Sequence, residues 1–236
     1  MKALWSTLAN NLSFVLTCML IAAGIFLVAK LAEHLLIVKR TVSPTRRITI
    51  IAVCSAIAAI LHIFDFPLPF LAPGFYKLDF SEVPVMLCGL YLGPAATVLC
   101  EALKIFLKLL LKGTTTAFVG DFANFVVGCS FVLPAATIYH IRKTRKGAIL
   151  GLSIGTIVLT VFGSAFNGIY LLPKFASFMI PLDQIIASGS TINPAITSIS
   201  TFVLFAVAPL NLIKGILIFI LSFLLYKRLA RPLFGK

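Results

Sequence analysis

The chain has 236 residues, of which 60% are hydrophobic and only 11% are charged, and its mean hydropathy is +1.10. This composition excludes a soluble globular domain and predicts an all-α, polytopic membrane protein, because a helix needs ~20 apolar residues to cross a bilayer and several continuous runs approach that length. The formal net charge of +13 argues less for nucleic acid than for membrane topology, because the basic residues lie at the ends of apolar runs, near lipid headgroups.

The first apolar run covers about residues 12–38. It follows Lys2 as the hydrophobic segment of a signal peptide would, but it is longer than such a segment and no small-residue cleavage site follows it. The sequence therefore predicts a retained transmembrane helix here.

Six further apolar runs predict the remaining membrane helices. They cover about residues 48–66, 81–92, 95–111, 117–139, 148–172 and 196–225. Gly93-Pro94 breaks the chain between two of them, and Pro209 predicts a kink in the last helix. Residues 173–195 form the longest predicted loop.

Three clusters of basic residues predict the orientation of the chain. If the first cluster lies in the cytoplasm, alternate crossings put the loops 67–80 and 173–195 outside and all three clusters inside. The N-terminus is then outside and the C-terminus is cytoplasmic. The clusters are Lys39, Arg40, Arg46 and Arg47; Arg142, Lys143, Arg145 and Lys146; and Lys227, Arg228, Arg231 and Lys236.

Lys214 is the most informative polar residue within the apolar runs. A lysine near the centre of a membrane costs about 2.5–3.5 kcal/mol, so it needs either a bound ligand or a carboxylate as its partner. The candidate carboxylates are Asp79, Glu101 and Asp121. Asn211 lies one helical turn before Lys214 and shares its face.

Other polar residues extend this candidate site. Glu101, Lys104 and Lys108 share one helix face, where they form either a structural ion pair with a lysine that reaches the interface or part of a ligand site. Thr115 precedes the next helix and either caps it or contacts a ligand. Two asparagines inside apolar runs either bind a ligand or join helices, and these are Asn124 and Asn167.

The loop at residues 75–84 places aromatic residues beside charged ones. Phe75, Tyr76 and Phe80 lie beside Lys77 and Asp79. This combination suits a flat heteroaromatic ligand, and an aromatic belt at the membrane interface is the alternative.

Signatures of catalysis are absent from the sequence. It contains no GxxxxGK[ST], HExxH or GxSxG motif, so we predict neither an ATPase nor another enzyme. The five cysteines lie in apolar runs without a CxxC pair, and no His/Cys cluster has the spacing of metal ligands. We therefore expect no metal and no cofactor.

Six stretches, taken in order, resemble the riboflavin-specific substrate-binding components of bacterial energy-coupling factor transporters. The resemblance runs from about residue 46 to 228. The stretches are residues 78–84, 113–116, 121–128, 131–135, 192–197 and 208–215.

This resemblance implies a six-helix membrane bundle over residues 41–236, with residues 1–40 as an additional helix. It implies a riboflavin pocket that opens outward from the bacterial cell membrane, and as partners a transmembrane coupling subunit and two cytoplasmic ATPases. By position, Asn211 and Lys214 would hydrogen-bond the flavin, and Asn167 would be a further contact. The loop around Leu78 and Asp79 would cover the ligand.

Two stripes of small residues run along the helix predicted at residues 48–66. One contains Ala52 and Ala56, and the other contains Ser55 and Ala59. Small residues let helices approach closely, so a stripe serves either internal packing or the docking of another membrane subunit. The resemblance implies that the Ala52/Ala56 stripe docks the coupling subunit.

Several alternative functions stay open at this point. The ligand could be FMN or another vitamin, because Lys77, Lys112 and Lys174 near the outer rim would suit a phosphate. A stand-alone secondary transporter would need internal inverted repeats, and none is clear. A structural or assembly membrane protein would use the same polar residues only to hold helices together.

Overall fold

The structure, a computed structural model, describes residues 12–36, 42–178 and 180–234. Ten α-helices dominate these residues, which confirms the all-α prediction. The first six are α1 (Leu12–Leu36), α2 (Pro44–Ile63), α3 (Glu82–Leu92), α4 (Pro94–Lys112), α5 (Val119–Ile141) and α6 (Arg145–Phe166). The other four are α7 (Leu172–Phe178), α8 (Leu182–Ser190), α9 (Ile199–Phe202) and α10 (Ala208–Phe234).

Two π-helical segments interrupt the long helices: π1 (Asn167–Leu171) joins α6 to α7, and π2 (Val203–Val207) joins α9 to α10. Each ends two residues before a proline, Pro173 or Pro209. A proline has no N–H, and its ring collides with the carbonyl four residues earlier, which lies inside the π segment in both cases. The wider π turn accommodates this conflict. At Pro209, where the sequence predicts a kink, the irregularity is thus a π segment.

Five helical stretches of the described chain are long and apolar enough to cross a membrane. They are α1, α2, α5, the stretch Arg145–Ser177 and the stretch Ile199–Tyr226. The other two predicted helices differ from them. α4 has 19 residues but carries four charged side chains, and α3 has only 11 residues. Nine residues of α3 are buried, because α2, α4, α5 and α10 all pack around it.

Helix α1 packs against α4 and α5 through a narrow face. Its only fully buried residue is Ala29, which joins a cluster with Val98 of α4 and Phe125 of α5. The opposite face is apolar and open, as Leu20 shows with 74% exposure. The predicted domain boundary at residues 40/41 lies outside the described residues, as do Lys39, Arg40 and Lys236 of the basic clusters.

The two small-residue stripes of α2 face different ways. Ser55 and Ala59 are buried, and the Ser55 hydroxyl donates to the carbonyl of Ile51 at 2.7 Å and lies 3.3 Å from the Cys100 carbonyl of α4. This stripe therefore serves internal packing. Ala52 and Ala56 are exposed.

The prediction of one long loop over residues 173–195 is wrong. Helices α7 and α8 occupy most of it. Apolar residues at helical spacing explain the difference, because Leu172 and Ile185 are buried in one cluster with Ile196 and Phe202. These short helices form a layer over one end of the bundle.

Candidate functional site

A cavity of about 290 Å³ lies at the end of the bundle where α4 ends and α5 begins. Six of the seven residues predicted to bind a ligand line it: Asp79, Thr115, Asn124, Asn167, Asn211 and Lys214. The seventh, Leu78, is buried in strand β2 and is not among the lining residues. The chain folds so that residues from every part of the predicted constellation meet in one place.

A short antiparallel hairpin lies beside the cavity. Strand β1 (Phe66–Pro67) pairs with strand β2 (Lys77–Leu78), with Phe66 opposite Leu78. The chain after β2 turns sharply into α3, because the backbone N–H of Ser81 donates to Oδ1 of Asp79 at 2.8 Å. This turn directs Asp79 to the cavity and starts α3 at Glu82.

Lys214 reaches the cavity from α10 and pairs with two carboxylates. Its Nζ lies 3.3 Å from Oδ2 of Asp79 and 3.2 Å from Oε1 of Glu82. Of the three carboxylates expected as partners, only Asp79 takes this role, and Glu82 adds an unexpected second contact. The amine is therefore neutralised, yet it still lines an open cavity.

A second lysine, fully buried, lies behind the cavity floor. The side chain of Lys104 is 0% exposed, and its Nζ lies 2.5 Å from Oε1 of Glu101 and 3.4 Å from Oε1 of Glu82. The same amine donates to the Asn124 side-chain oxygen at 3.4 Å and the Ser81 hydroxyl at 3.2 Å. Because Glu82 contacts both lysines, the two ion pairs form one network that fixes Asn124 at the cavity wall.

Lys108, for which the sequence left open either a lysine that reaches the interface or part of a ligand site, lines the cavity and pairs with a carboxylate. Its Nζ lies 2.5 Å from Oδ1 of Asp121. The Thr114 hydroxyl donates to the other oxygen of Asp121 at 2.7 Å and accepts the backbone N–H of Phe118 at 3.0 Å. These bonds fix the loop between α4 and α5 and leave Thr115 to line the cavity.

His62 is a lining residue that sequence reasoning missed. Its Nδ1 lies 3.4 Å from Oδ2 of Asp79, and it lines the cavity. Burial alone would raise the pKa of Asp79, but Lys214 and His62 outweigh it and hold the pKa of Asp79 well below its usual range. Asp79 therefore stays ionised. The signal in the sequence was the position of His62 at the cavity end of its apolar run.

Aromatic side chains close the cavity on the hairpin side. The Tyr76 hydroxyl donates to Oδ1 of Asn167 at 2.9 Å, and Nδ2 of Asn167 donates to the Gly163 carbonyl at 2.7 Å. The Tyr76 ring lies 6.0 Å from that of Phe202, and burial raises the pKa of its hydroxyl. The hairpin loop is thus tied to π1 and to the layer of short helices.

The rim of the cavity carries a charge triplet. Oδ1 of Asp65 accepts from Lys77 at 3.2 Å and from Lys112 at 3.3 Å. Two ammonium groups share one carboxylate, so the rim keeps one uncompensated positive charge. Lys174, the third lysine considered for the rim, is not among the lining residues.

The chemistry of this site is that of recognition. No group of His, Cys, Asp and Glu suited to a metal ion occurs in the part of the chain that the structure describes. Amides, hydroxyls and ammonium groups paired with carboxylates surround a small volume with aromatic residues on one side. Such a cavity suits a small molecule with a flat ring and several hydrogen-bonding groups.

Comparisons relate the chain to known proteins. A family model described as ECF transporter, substrate-specific component, matches residues 46–226. The chain is 37% identical over 192 residues to the riboflavin transporter RibU of Staphylococcus aureus (strain TCH60), covering 81% of this chain and 94% of that protein. It is 31% identical over 187 residues to the riboflavin transporter FmnP of Bacillus subtilis (strain 168), covering 78% and 92%.

A solved structure gives the same relationship in three dimensions. It is reported as "Structure and mechanism of the S component of a bacterial ECF transporter" and is similar to this chain with a TM-score of 0.63 at 37% identity. The similarity covers 80% of this chain and 98% of that chain.

Proposed function

Because this chain belongs to the substrate-specific components of ECF transporters, we infer that it is a riboflavin-binding membrane subunit of an energy-coupling factor importer. The observation that carries this function is the cavity at Lys214, where side chains from α5, π1 and α10 supply hydrogen-bonding groups. Its volume of about 290 Å³ lies near the lower end of small-molecule pockets, which span roughly 300–1,000 Å³. The protein performs no chemistry on the vitamin.

We propose that the flavin ring lies between Lys214 and the aromatic side of the cavity. Asn211 and Lys214 then bind the carbonyl and imide edge of the ring, where an unpaired polar group would cost about 1–3 kcal/mol. Asn124, Asn167 and Thr115 bind the remaining polar groups of the ligand. Asp79 keeps Lys214 in place, and Leu78 holds the hairpin over the site from within β2.

The proposed orientation places this cavity toward the outside of the bacterial cell membrane. The turn between α5 and α6 then lies in the cytoplasm with its basic residues, as does the C-terminus, and the N-terminus lies outside. We also propose that residues 1–40 are an addition to a six-helix domain at 41–236. In support, the family match begins at residue 46, after α1.

The proposed partners are a transmembrane coupling subunit and two cytoplasmic ATPases. The exposed stripe of Ala52 and Ala56 on α2 is the proposed docking surface for the coupling subunit, because small side chains on a lipid-facing helix let a second helix approach closely. No ATP-binding motif occurs in this chain, so uptake against a gradient would depend on those partners.

FMN is the second candidate ligand, and the charge triplet at the rim favours it. Lys77 and Lys112 share the single carboxylate of Asp65, so a phosphate at this rim would meet a net positive charge. Titration of the purified protein with riboflavin and with FMN, followed by quenching of flavin fluorescence, compares the two directly.

The deciding experiment starts with the absorption spectrum of the protein purified in detergent. We expect flavin bands in the purified protein, or saturable flavin binding after the ligand is removed. Proteoliposomes with and without the ATPase partners then separate an energy-coupling factor importer from a stand-alone transporter. A protein that binds no flavin would contradict the proposal, and uptake without the ATPases would favour a secondary transporter.

A further inference from the structure

The turn between α5 and α6, together with the first two residues of α6, carries an unbalanced cluster of four cations. Arg142, Lys143, Arg145 and Lys146 are all exposed, and no carboxylate among the described residues lies within ion-pair distance of any of them. Val127 is the last residue of α5 that lines the ligand cavity, and the 15 residues from it to Arg142 separate this turn from the cavity by roughly 22 Å at 1.5 Å per residue. The cluster therefore has no part in the flavin site.

Two of these four cations line a groove. The groove has a volume of about 510 Å³, and Arg142 and Lys146 stand at its polar end. Its other wall comes from α6, where Ile149 and Leu150 are each 42% exposed and line the groove. Lys143 and Arg145 belong to the same turn but do not line it.

The backbone of the turn beside this groove is closely packed around Gly147. A side chain at position 147 would lie 1.8 Å from the carbonyl oxygen of Arg142, so only glycine fits. The backbone N–H of Gly147 donates to the Thr144 hydroxyl at 3.0 Å. These contacts fix the backbone from which the side chains of Arg142 and Lys146 extend.

We propose that this groove binds an anionic phospholipid. The phosphate of the headgroup lies between Arg142 and Lys146, because a guanidinium binds phosphate through two parallel hydrogen bonds and an ammonium adds a point charge. An acyl chain lies along Ile149 and Leu150, which continue into the exposed apolar face of α6 at Ile157 and Val161. A free phosphate ion would use only the cationic end, so the apolar wall selects a lipid.

Charge and position both support this occupant. The lining residues include no acidic side chain that would repel a phosphate. The four cations end where the apolar residues of α6 begin at Ala148, which puts the cationic end of the groove at headgroup depth and the apolar wall at the depth of the acyl chains.

The test uses native mass spectrometry of the detergent-purified protein with dioleoyl phosphatidylglycerol, dioleoyl phosphatidylcholine and inorganic phosphate. We expect one phosphatidylglycerol per chain to bind about tenfold more tightly than phosphatidylcholine. The double variant R142Q/K146Q should lose this preference. The variant K143Q/R145Q removes the same charge from the same turn but outside the groove, and should keep most of it.

A third variant tests the apolar wall. L150S should weaken the binding of phosphatidylglycerol and leave the binding of phosphate unchanged. Flavin titration of each variant establishes that it is folded, because the flavin site lies at the other end of α5.

Three results would overturn the proposal. If both double variants lost the preference for phosphatidylglycerol equally, the lipid would be attracted by the overall charge of this end of the bundle and not by a defined site in the groove. If the original protein showed no preference for phosphatidylglycerol over phosphatidylcholine, an anionic phospholipid would not be the ligand of the groove. Displacement of the lipid by inorganic phosphate at similar concentrations would assign the cationic end to a free anion.

Discussion

The Nζ of Lys214 lies 3.2 Å from Oε1 of Glu82, a carboxylate that precedes it by 132 residues. The same carboxylate oxygen lies 3.4 Å from Nζ of the buried Lys104. Glu82 therefore joins the amine at the cavity to a network behind it, and the position of Lys214 depends on residues that never touch a ligand. The amine of Lys214, although held by two acids, can still donate to a ligand, because an ammonium has three donors.

Lys214→Ala is expected to weaken flavin binding by about tenfold or more, because the change removes a donor and takes one cationic partner away from each of two buried carboxylates, Asp79 and Glu82. Titration by flavin fluorescence measures this loss. Lys143→Ala, at the far end of the bundle, removes the same charge from an exposed position and should leave the affinity unchanged. Equal affinities of the Lys214→Ala variant and the original protein would contradict the site.

Lys104→Met tests the network behind the cavity. Removing one partner of a buried ion pair costs about 3–5 kcal/mol, and Lys104 contacts both Glu101 and Glu82 with its side chain 0% exposed. We expect a marked loss of thermal stability in detergent, partly recovered when Glu101→Gln is added. Lys77→Met is the control, because its pair with Asp65 is partly exposed and such pairs contribute about 0–1 kcal/mol.

Much of the architecture follows from the sequence because the apolar runs are long. The runs locate the main helices, and the cost of burying a lysine indicates that Lys214 needs a partner. The partner itself depends on tertiary packing. Asp121 was as good a candidate as Asp79, and only the fold places Asp121 beside Lys108 and Asp79 beside Lys214.

Other features of the site depend on contacts that no local pattern encodes. His62 has no neighbour in the sequence that marks it, and its position beside Asp79 arises from the packing of α2 against the start of α3. Residues 173–195 contain three prolines and one glycine, which favours a loop, but burial of Ile185 stabilises α8. Tertiary burial thus outweighs the local turn signals.

Gly128→Ala is expected to destabilise the protein strongly. A Cβ at this position would lie 2.3 Å from Oε1 of Glu101, which the ion pair with Lys104 holds in place. The control is Gly24→Ala in α1, where a Cβ meets nothing within 4 Å and helix propensity favours alanine by up to about 1 kcal/mol. Thermal unfolding of both variants in detergent gives the comparison. Similar thermal unfolding midpoints for the two variants would mean that the ion-pair network around Glu101 rearranges without a loss of stability.

Tyr76→Phe tests whether the hairpin loop retains the ligand. The change removes the hydroxyl that donates to Asn167 but keeps the ring that packs against Phe202. One hydrogen bond contributes about 0.5–1.5 kcal/mol, so flavin should dissociate roughly 2–10-fold faster. Stopped-flow displacement of bound flavin measures this rate. Tyr76→Ala should accelerate dissociation further. An unchanged dissociation rate in both variants would mean that the hairpin loop does not retain the ligand.

Ala56→Trp tests the docking surface proposed on α2. Ala56 is exposed, whereas Ser55 and Ala59 of the same helix are buried, so a large side chain at position 56 extends outward and leaves the bundle intact. Because a helix docks closely only on small residues, the variant should keep its flavin affinity but lose co-purification with the coupling subunit and lose ATP-dependent uptake. Ile157→Trp on α6, where the native side chain is 61% exposed, is the matched control and should retain both. Loss of flavin binding in the Ala56→Trp variant would mean that this face supports the cavity, and normal uptake would place the coupling subunit elsewhere.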